Sequence, residues 1–212
     1  MIYDAIDIDC DISQGDIFTN IPRIDISFSD LVVTQDDGDY NTNWEDAILS
    51  TPDQEITAIL AIKPVTAVVI TQDCDATRED FISLCVVDDY LKTIGQDGEP
   101  SSSLKWAGMI SKKSRENAKV FYLPPDESIG LSGPKGVCFL DVLRVPLWDL
   151  KKHRTFRAGT LNSVAKEHFR ESLAHFFRRY SYNEWYPFTK EQFIAYKQKQ
   201  NSDDIVPYEW QQ

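Results

Sequence analysis

Apolar positions along this chain fall into short runs separated by dense polar stretches. Residues 2–12 alternate, with Ile2, Ala5, Ile6, Ile8 and Ile12 set between Asp4, Asp7, Asp9 and Asp11. The pattern predicts an edge strand or an extended arm whose acids discourage further pairing. Ser13-Gln14-Gly15-Asp16 reads as a turn. Ile17-Phe18 opens a second strand, Pro22 interrupts it, and Ile24, Ile26 and Phe28 resume with period two. Ile56 to Ile62 is a further strand. Val68-Val69-Ile70 follows Pro64 as a β-branched run, predicted to be a strand buried on both faces. It stops at a corner of polar and reactive residues, Thr71-Gln72-Asp73-Cys74-Asp75. Phe81 to Val87, Val120 to Leu123 and Val137 to Val145 complete the strands.

Helical periods occupy two places. Ser101 or Ser103 caps a short helix through Leu104, Trp106, Met109 and Ile110, which ends on Lys112, Lys113 and Arg115. Residues 147–150 read as a turn. Asn162 or Ser163 caps a longer helix with Val164, Phe169, Leu173, Phe176, Phe177 and Tyr180 on one side and Lys166, Glu167, Arg170 and Glu171 opposite. A final helix starts at Thr189, with Gln192 completing a capping box and Phe193, Ile194 and Tyr196 docking it. Strands first and helices last predict an α+β, mainly β, fold. The expected organisation is a β domain over 1–161, a helical extension over 162–200 packed on it, and a polar tail over 201–212. Residues 34–55, acidic and with a turn at Asp37-Gly38, form an exposed insertion. It is either a mobile loop or a recognition loop anchored by Tyr40 and Trp44.

Composition adds two constraints. With 42% apolar and 12% aromatic residues, the 212-residue chain can bury a core and falls outside the disordered class. Its net charge of −12 opposes non-specific binding to DNA or membranes. That charge is uneven. Residues 1–104 hold 4 basic and 22 acidic side chains, whereas residues 105–200 hold 18 basic and 9 acidic ones. The second half therefore admits a basic face, or the two halves attract each other. None of the four cysteines, Cys10, Cys74, Cys85 and Cys138, forms a CxxC pair, which disfavours structural zinc. The start of the chain lacks a basic n-region and a long apolar stretch. The expectation is a cytoplasmic protein with free thiols and no membrane contact.

Several stretches, in a fixed order, resemble the MazF/PemK toxin family. Gln14-Gly15-Asp16-Ile17 is similar to that family's R-G-D-I/V opening strand. AVVIT at 67–71 is similar to its apolar strand ending in a hydroxyl. Gly130-Leu131, then Gly136 to Arg144, then Leu150 to Arg157 with Gly159 and Leu161, resembles its "G-L … D-q-i-R … R-L … x-G-x-L" pattern. The resemblance covers about residues 12–28, 64–87 and 120–178. It implies an SH3-like small β-barrel with C-terminal helices, a possible homodimer, and a toxin–antitoxin or phage-defence setting. The family's ribonucleases use an Arg before the central strand and a Ser or Thr at the end of the next. Here Val65, or Lys63 in a shifted register, holds the first place, and FISLCVVDDY ends in Asp88-Asp89. QGDI followed by VVITQDCD is also similar to a set of bacterial and phage proteins, a resemblance that carries no activity with it.

Two groups of candidate site residues follow. At the corner, Asp73, Cys74 and Asp75 are catalytic candidates. Asp73 and Asp75, with Asp88 or Asp89, would offer a divalent metal the carboxylates hard cations prefer. Cys74 as a nucleophile would need a base, and flanking carboxylates oppose its ionisation. The bland alternative is a capped turn with a small packed thiol. His153, His168 and His175 all lie in the last third, the latter two seven apart on one helix face. Binding candidates are Gln14, Asp16, Thr71 and Gln72, and the basic run Lys151, Lys152, Arg154 and Arg157. That run, with Arg170, Arg178 and Arg179, would track a phosphate backbone, with Tyr180, Tyr182, Trp185 and Tyr186 stacking on bases. Otherwise it is a solvated face. The expected function is an interaction protein binding a protein partner or nucleic acid, with no certain cofactor. The alternatives are a nuclease or other hydrolase using the Gln72–Asp75 corner, possible metal dependence included, and acidic mimicry of nucleic acid by the first half.

Overall fold

Continuous apolar runs require a sheet with cover on both faces, and this is what they form. The computed structural model describes residues 2–178 apart from 8, 36, 37, 53, 117 and 118, and in addition residues 191, 192, 194, 195 and 198. In chain order the elements are β1 (Tyr3–Asp4), β2 (Asp16–Ile24), β3 (Leu31–Gln35), β4 (Gly38–Thr42), α1 (Trp44–Ser50), β5 (Ala58–Ile59), β6 (Ile62–Val69) and the single-turn α2 (Asp73–Ala76). After them come β7 (Phe81–Asp89), α3 (Tyr90–Ile94), α4 (Ser103–Glu116), β8 (Val120–Leu123), β9 (Lys135–Pro146), α5 (Leu147–Lys152), β10 (Arg157–Leu161) and α6 (Ser163–Phe177). The fold is α+β and mostly β. Seven strands make one antiparallel sheet in the order β1-β10-β2-β6-β7-β9-β8, and β4-β3-β5 make a second. Among the described residues no helix is long and apolar enough to cross a membrane.

Period-two alternation sends neighbouring residues to opposite faces, and both faces are covered. Ile17, Val68, Cys85, Val137 and Phe139 face α6, which contributes Ala165, Phe169 and Leu173. Phe18, Ala67, Val69, Ile82 and Leu84 face α5, through Leu147 and Leu150, and the α2 turn, through Ala76. The Phe169 ring is fully buried and meets Phe121 edge-on at 5.1 Å and Phe139 at 5.6 Å. The side chain of Asn162 accepts the Ala165 amide at 2.9 Å and so caps α6. The buried stripe starts at Ala165, while Val164 is exposed, one position off the expected register.

The large sheet does not return on itself, so the described strands form no closed barrel of the kind the resemblance implies. It does curl. In a flat sheet, three strand spacings, about 14 Å, would separate β2 from β9. Yet the Arg23 guanidinium on β2 meets the Asp141 carboxylate on β9 at 2.5 Å.

Several local expectations need correction. Pro22 does not interrupt β2; it sits opposite Pro64 of β6, and the strand runs on to Ile24. Ile26 and Phe28 lie beyond the strand, exposed. Residues 34–55 are no structureless loop. With β3 and β5 they build a small module whose core is Leu31, Val33 and Ala47, with Tyr40, Ile56 and Leu60 packed against it. Ser102, not Ser101 or Ser103, offers its hydroxyl to the first turn of α4. Residues 147–150 begin α5 rather than a turn, and Arg157–Leu161 is a strand no apolar run announced. By compactness, Met1–Phe176 form one unit and Phe177–Gln212 a second, with nearly all of α6 in the first. Of the second unit, residues 191, 192, 194, 195 and 198 are helical. The capping box at Thr189 and the aromatic cluster 180–186 lie outside the described residues.

Truncating Phe169 to Ala should cost about 3–5 kcal/mol in urea denaturation, through the cavity left between the Phe121 and Phe139 rings. Leu140→Ala, at a side chain 63% exposed, should stay within about 0.5 kcal/mol of the parent.

Candidate functional site

The two polar stretches singled out by sequence, 13–16 and 71–75, are adjacent in space. Gly15 turns the chain between them. Its φ is +88°, a conformation that disfavours side chains, and an added Cβ would lie 3.3 Å from Lys166 Cε and 3.4 Å from Leu161 Cβ. Its N–H donates to Val69 O at 2.9 Å, and its carbonyl accepts the Leu161 amide at 3.0 Å. The turn is thereby locked to the ends of β6 and β10.

Gln14 is buried in this turn. Its Nε2 donates to Ile70 O at 2.8 Å, its Oε1 accepts from Arg170 Nε at 2.9 Å, and its backbone N–H donates to Asp73 Oδ1 at 2.7 Å. The other Asp73 oxygen pairs with Arg170 Nη2, and Arg170 Nη1 holds Glu167 Oε1 at 2.6 Å. One arginine on α6 therefore clamps the turn and the corner together. Lys166, a turn earlier, reaches Ser13 Oγ at 3.2 Å.

Asp16 and Arg157 form the buried half of the same cluster, their side chains 0% and 2% exposed. Asp16 Oδ2 accepts from Arg157 Nη2 at 2.6 Å and from the Ser13 amide at 2.6 Å. Arg157 also donates to the carbonyls of Cys10 and Asp11, at 2.7 and 2.8 Å. Its Nε is buried and finds no partner.

The remaining candidates are placed as follows. The Thr71 hydroxyl accepts the Ser83 amide at 2.8 Å, closing the β6–β7 end. Gln72, Cys74 and Asp75 are exposed, with Cys74 Sγ 3.6 Å from Asp75 Oδ1. Asp88 and Asp89 sit at the far end of β7, five residues or roughly 17 Å beyond Ser83, and cannot share a cation with the corner. Asp88 pairs with Lys92 at 2.5 Å, and Asp89 caps α3 through the Leu91 and Lys92 amides. Burial raises the Asp88 carboxyl, but the Lys92 ammonium and the Asp89 amide outweigh it and leave it below the usual carboxylate range. Among the described residues no three His, Cys, Asp or Glu side chains gather as metal ligands.

In the basic run only Lys151 and Lys152 stand fully exposed. Arg154 reaches the Asp9 carboxylate at 3.1 Å, and Arg157 is consumed inside. His168 and His175 line a groove of about 410 Å³ between α6 and β8, with Phe121, Tyr122, Glu171 and Ser172. His168 and Arg170 are about 200° apart around the helix, so this groove faces away from the corner. Arg170, Glu167 and Lys166 carry the clamp. Their sequence signal was the polar stripe of α6, indistinguishable from a solvated face. No protein-family model, curated protein or solved structure matches this chain significantly.

Replacing Arg157 by Met should leave the Asp16 carboxylate buried and unpaired, at a cost of about 3–5 kcal/mol in chemical denaturation. Adding Asp16→Leu should recover part of that loss, so the double variant is less destabilised than the sum. Thiol titration should find Cys10 and Cys74 fast, both being exposed. Cys85 should react only on unfolding, because burial, with Cys138 and Asp141 nearby, pushes its thiol up to about 12.

Proposed function

We propose that this chain is an interaction protein on an open, curled relative of the MazF/PemK-type SH3-like barrel, and that it works by binding a protein partner rather than by chemistry at the corner. The observation that carries this reading is the fate of Asp73. Each of its oxygens is engaged in holding the fold, Oδ1 accepting from the Gln14 amide and Oδ2 from Arg170, although the side chain stays 47% exposed. A general base or a metal ligand needs an oxygen directed at a substrate or an ion. Cys74 Sγ lies 3.6 Å from Asp75 Oδ1, a carboxylate rather than a base held for it by the fold.

The fold part of the reading is supported by where the family-like stretches meet. Ile17 of the opening strand pairs with Val68 of the central one, and Gly159 pairs with Ile17 from the other side. The curl tied by Arg23 and Asp141 brings the sheet toward barrel shape. A protein partner is favoured over nucleic acid because affinity for a polyanion scales with the phosphates neutralised. The basic run retains Lys151 and Lys152 for that task once Arg154 and Arg157 are engaged. A homodimer and a toxin–antitoxin or phage-defence setting belong to the same reading.

The test is cleavage of RNA and DNA by the full chain with Mg²⁺, Mn²⁺ or chelator, beside Asp73→Asn and Cys74→Ala. No cleavage above the protein-free control is expected under any condition. Asp73→Ala should instead lower stability by about 1–3 kcal/mol, because the Gln14 amide loses its acceptor. Cleavage that Asp73→Asn or Cys74→Ala abolishes would put the chemistry at the corner and overturn the reading.

A further inference from the structure

Between residues 24 and 62 the sequence holds nine Asp and Glu residues and no Lys, Arg or His. The same segment carries an apolar strip that the fold does not use. Ile24 of β2 lies opposite Ile62 of β6, and both side chains are exposed. The chain continues through Ile26 and Phe28, 64% and 69% exposed. The Phe28 ring stacks on Trp44 at 6.3 Å with 26° between planes, and the Trp44 amide donates to Phe28 O at 2.8 Å. Ile48, one helical turn after Trp44, is also exposed. Pairing, chain continuity, ring stacking and helix spacing thus link six large apolar side chains from the paired ends of β2 and β6 to α1. The module's own core, Leu31, Val33 and Ala47, lies elsewhere. Contiguous exposed apolar surface of this kind marks an interaction site.

Charge decides what can cover it. Asp30 and Glu45 flank the strip and are exposed, as is Asp25, which pairs with Arg23 at 2.7 Å and lies 3.8 Å from Lys63. Nucleic acid and anionic lipid are repelled by such a rim. A second copy docked about a two-fold axis would set the acidic strip against itself. We propose that this face is the docking surface for a cationic amphipathic segment of a protein partner, which lays apolar side chains on Ile26, Phe28 and Trp44 and directs lysines or arginines at Asp30 and Glu45. The inference rests on the interaction-protein reading and gives it a place and a partner chemistry.

The experiment titrates the full chain with a labelled Leu/Lys amphipathic helical peptide, a scramble of the same composition without an apolar face, and a Leu/Glu amphipathic helix. The Leu/Lys helix should bind at least about tenfold more tightly than either control. Affinity should drop about tenfold or more in Ile26→Ser/Phe28→Ser. In Asp30→Lys/Glu45→Lys it should fall with a shallower salt dependence. Leu140→Ser, at another exposed apolar position, should leave it unchanged. All these positions are exposed, and circular dichroism verifies the fold of each variant. Equal affinity for the Lys and Glu helices, or unchanged affinity in Ile26→Ser/Phe28→Ser, would overturn the proposal. So would competition at this face by RNA or anionic vesicles, or a dimer that the same double variant dissociates. Cleavage in the nuclease assay defeats the interaction reading itself. Absent cleavage with no peptide preference defeats only this surface.

Discussion

A carboxylate with no access to water has to be met by a cation and by hydrogen bonds, or it will not stay ionised inside a protein. Asp16 is that carboxylate, and meeting it organises much of the molecule. Arg157 reaches it from the start of β10, which fixes where that strand joins β2. The same guanidinium takes the carbonyls of Cys10 and Asp11, which holds the acidic arm against the sheet. The Ser13 amide closes the turn onto Asp16, and this sets Gly15 in its left-handed conformation between Val69 and Leu161. The turn then presents Gln14 to Arg170. One buried ion pair thus ties together the start of β10, the carbonyls of Cys10 and Asp11 and the turn that presents Gln14 to α6. It contributes specificity of arrangement, since a buried pair repays its desolvation only when its remaining bonds are made.

Around that point the sheet is a two-sided layer. α6 covers one face and α5 with the α2 turn covers the other. The β6 end is filled by the Gln14–Asp73–Arg170 clamp. The insertion after β2 is different in kind. It folds on a small core of its own and keeps large apolar side chains in water under a rim of acids.

Elements whose pattern is local were legible in the sequence. The run at 68–70 was read as a strand buried on both faces, and Val68 and Val69 are fully buried. The α6 cap at Asn162, the strands at 81–87 and 120–123 and the helix after residue 102 were legible for the same reason. Features depending on partners far along the chain were not. β10 contains Arg157 and Gly159, which no strand pattern includes; it exists because Arg157 has Asp16 to meet and because Gly159 admits Ile129, whose Cγ2 would lie 2.7 Å from an added Cβ. Residues 34–55 looked like a loop because their polar content is high, yet three buried side chains, two of them supplied by β3 before the stretch begins, suffice to fold them. In the candidate site, the sequence drew attention to Gln14, Asp16 and Asp73 together with Arg157, and these residues do share one cluster. Their role was the part it could not express. Polar residues at strand ends are the same whether they await a substrate or one another, and the contact that joins Asp73 to the turn comes from Arg170, 97 residues away.

A reactive corner needs at least one polar group whose best partner is absent until substrate arrives. At this corner the partners are supplied by the chain itself, from an element that also seals the core through Phe169 and Leu173. Releasing Asp73 would therefore mean displacing a guanidinium anchored on a helix whose opposite stripe is buried under the sheet. The arrangement trades an available carboxylate for a fixed junction. The apolar strip beside the acidic insertion differs in this respect: Ile26 and Phe28 keep 64% and 69% of their surface in water.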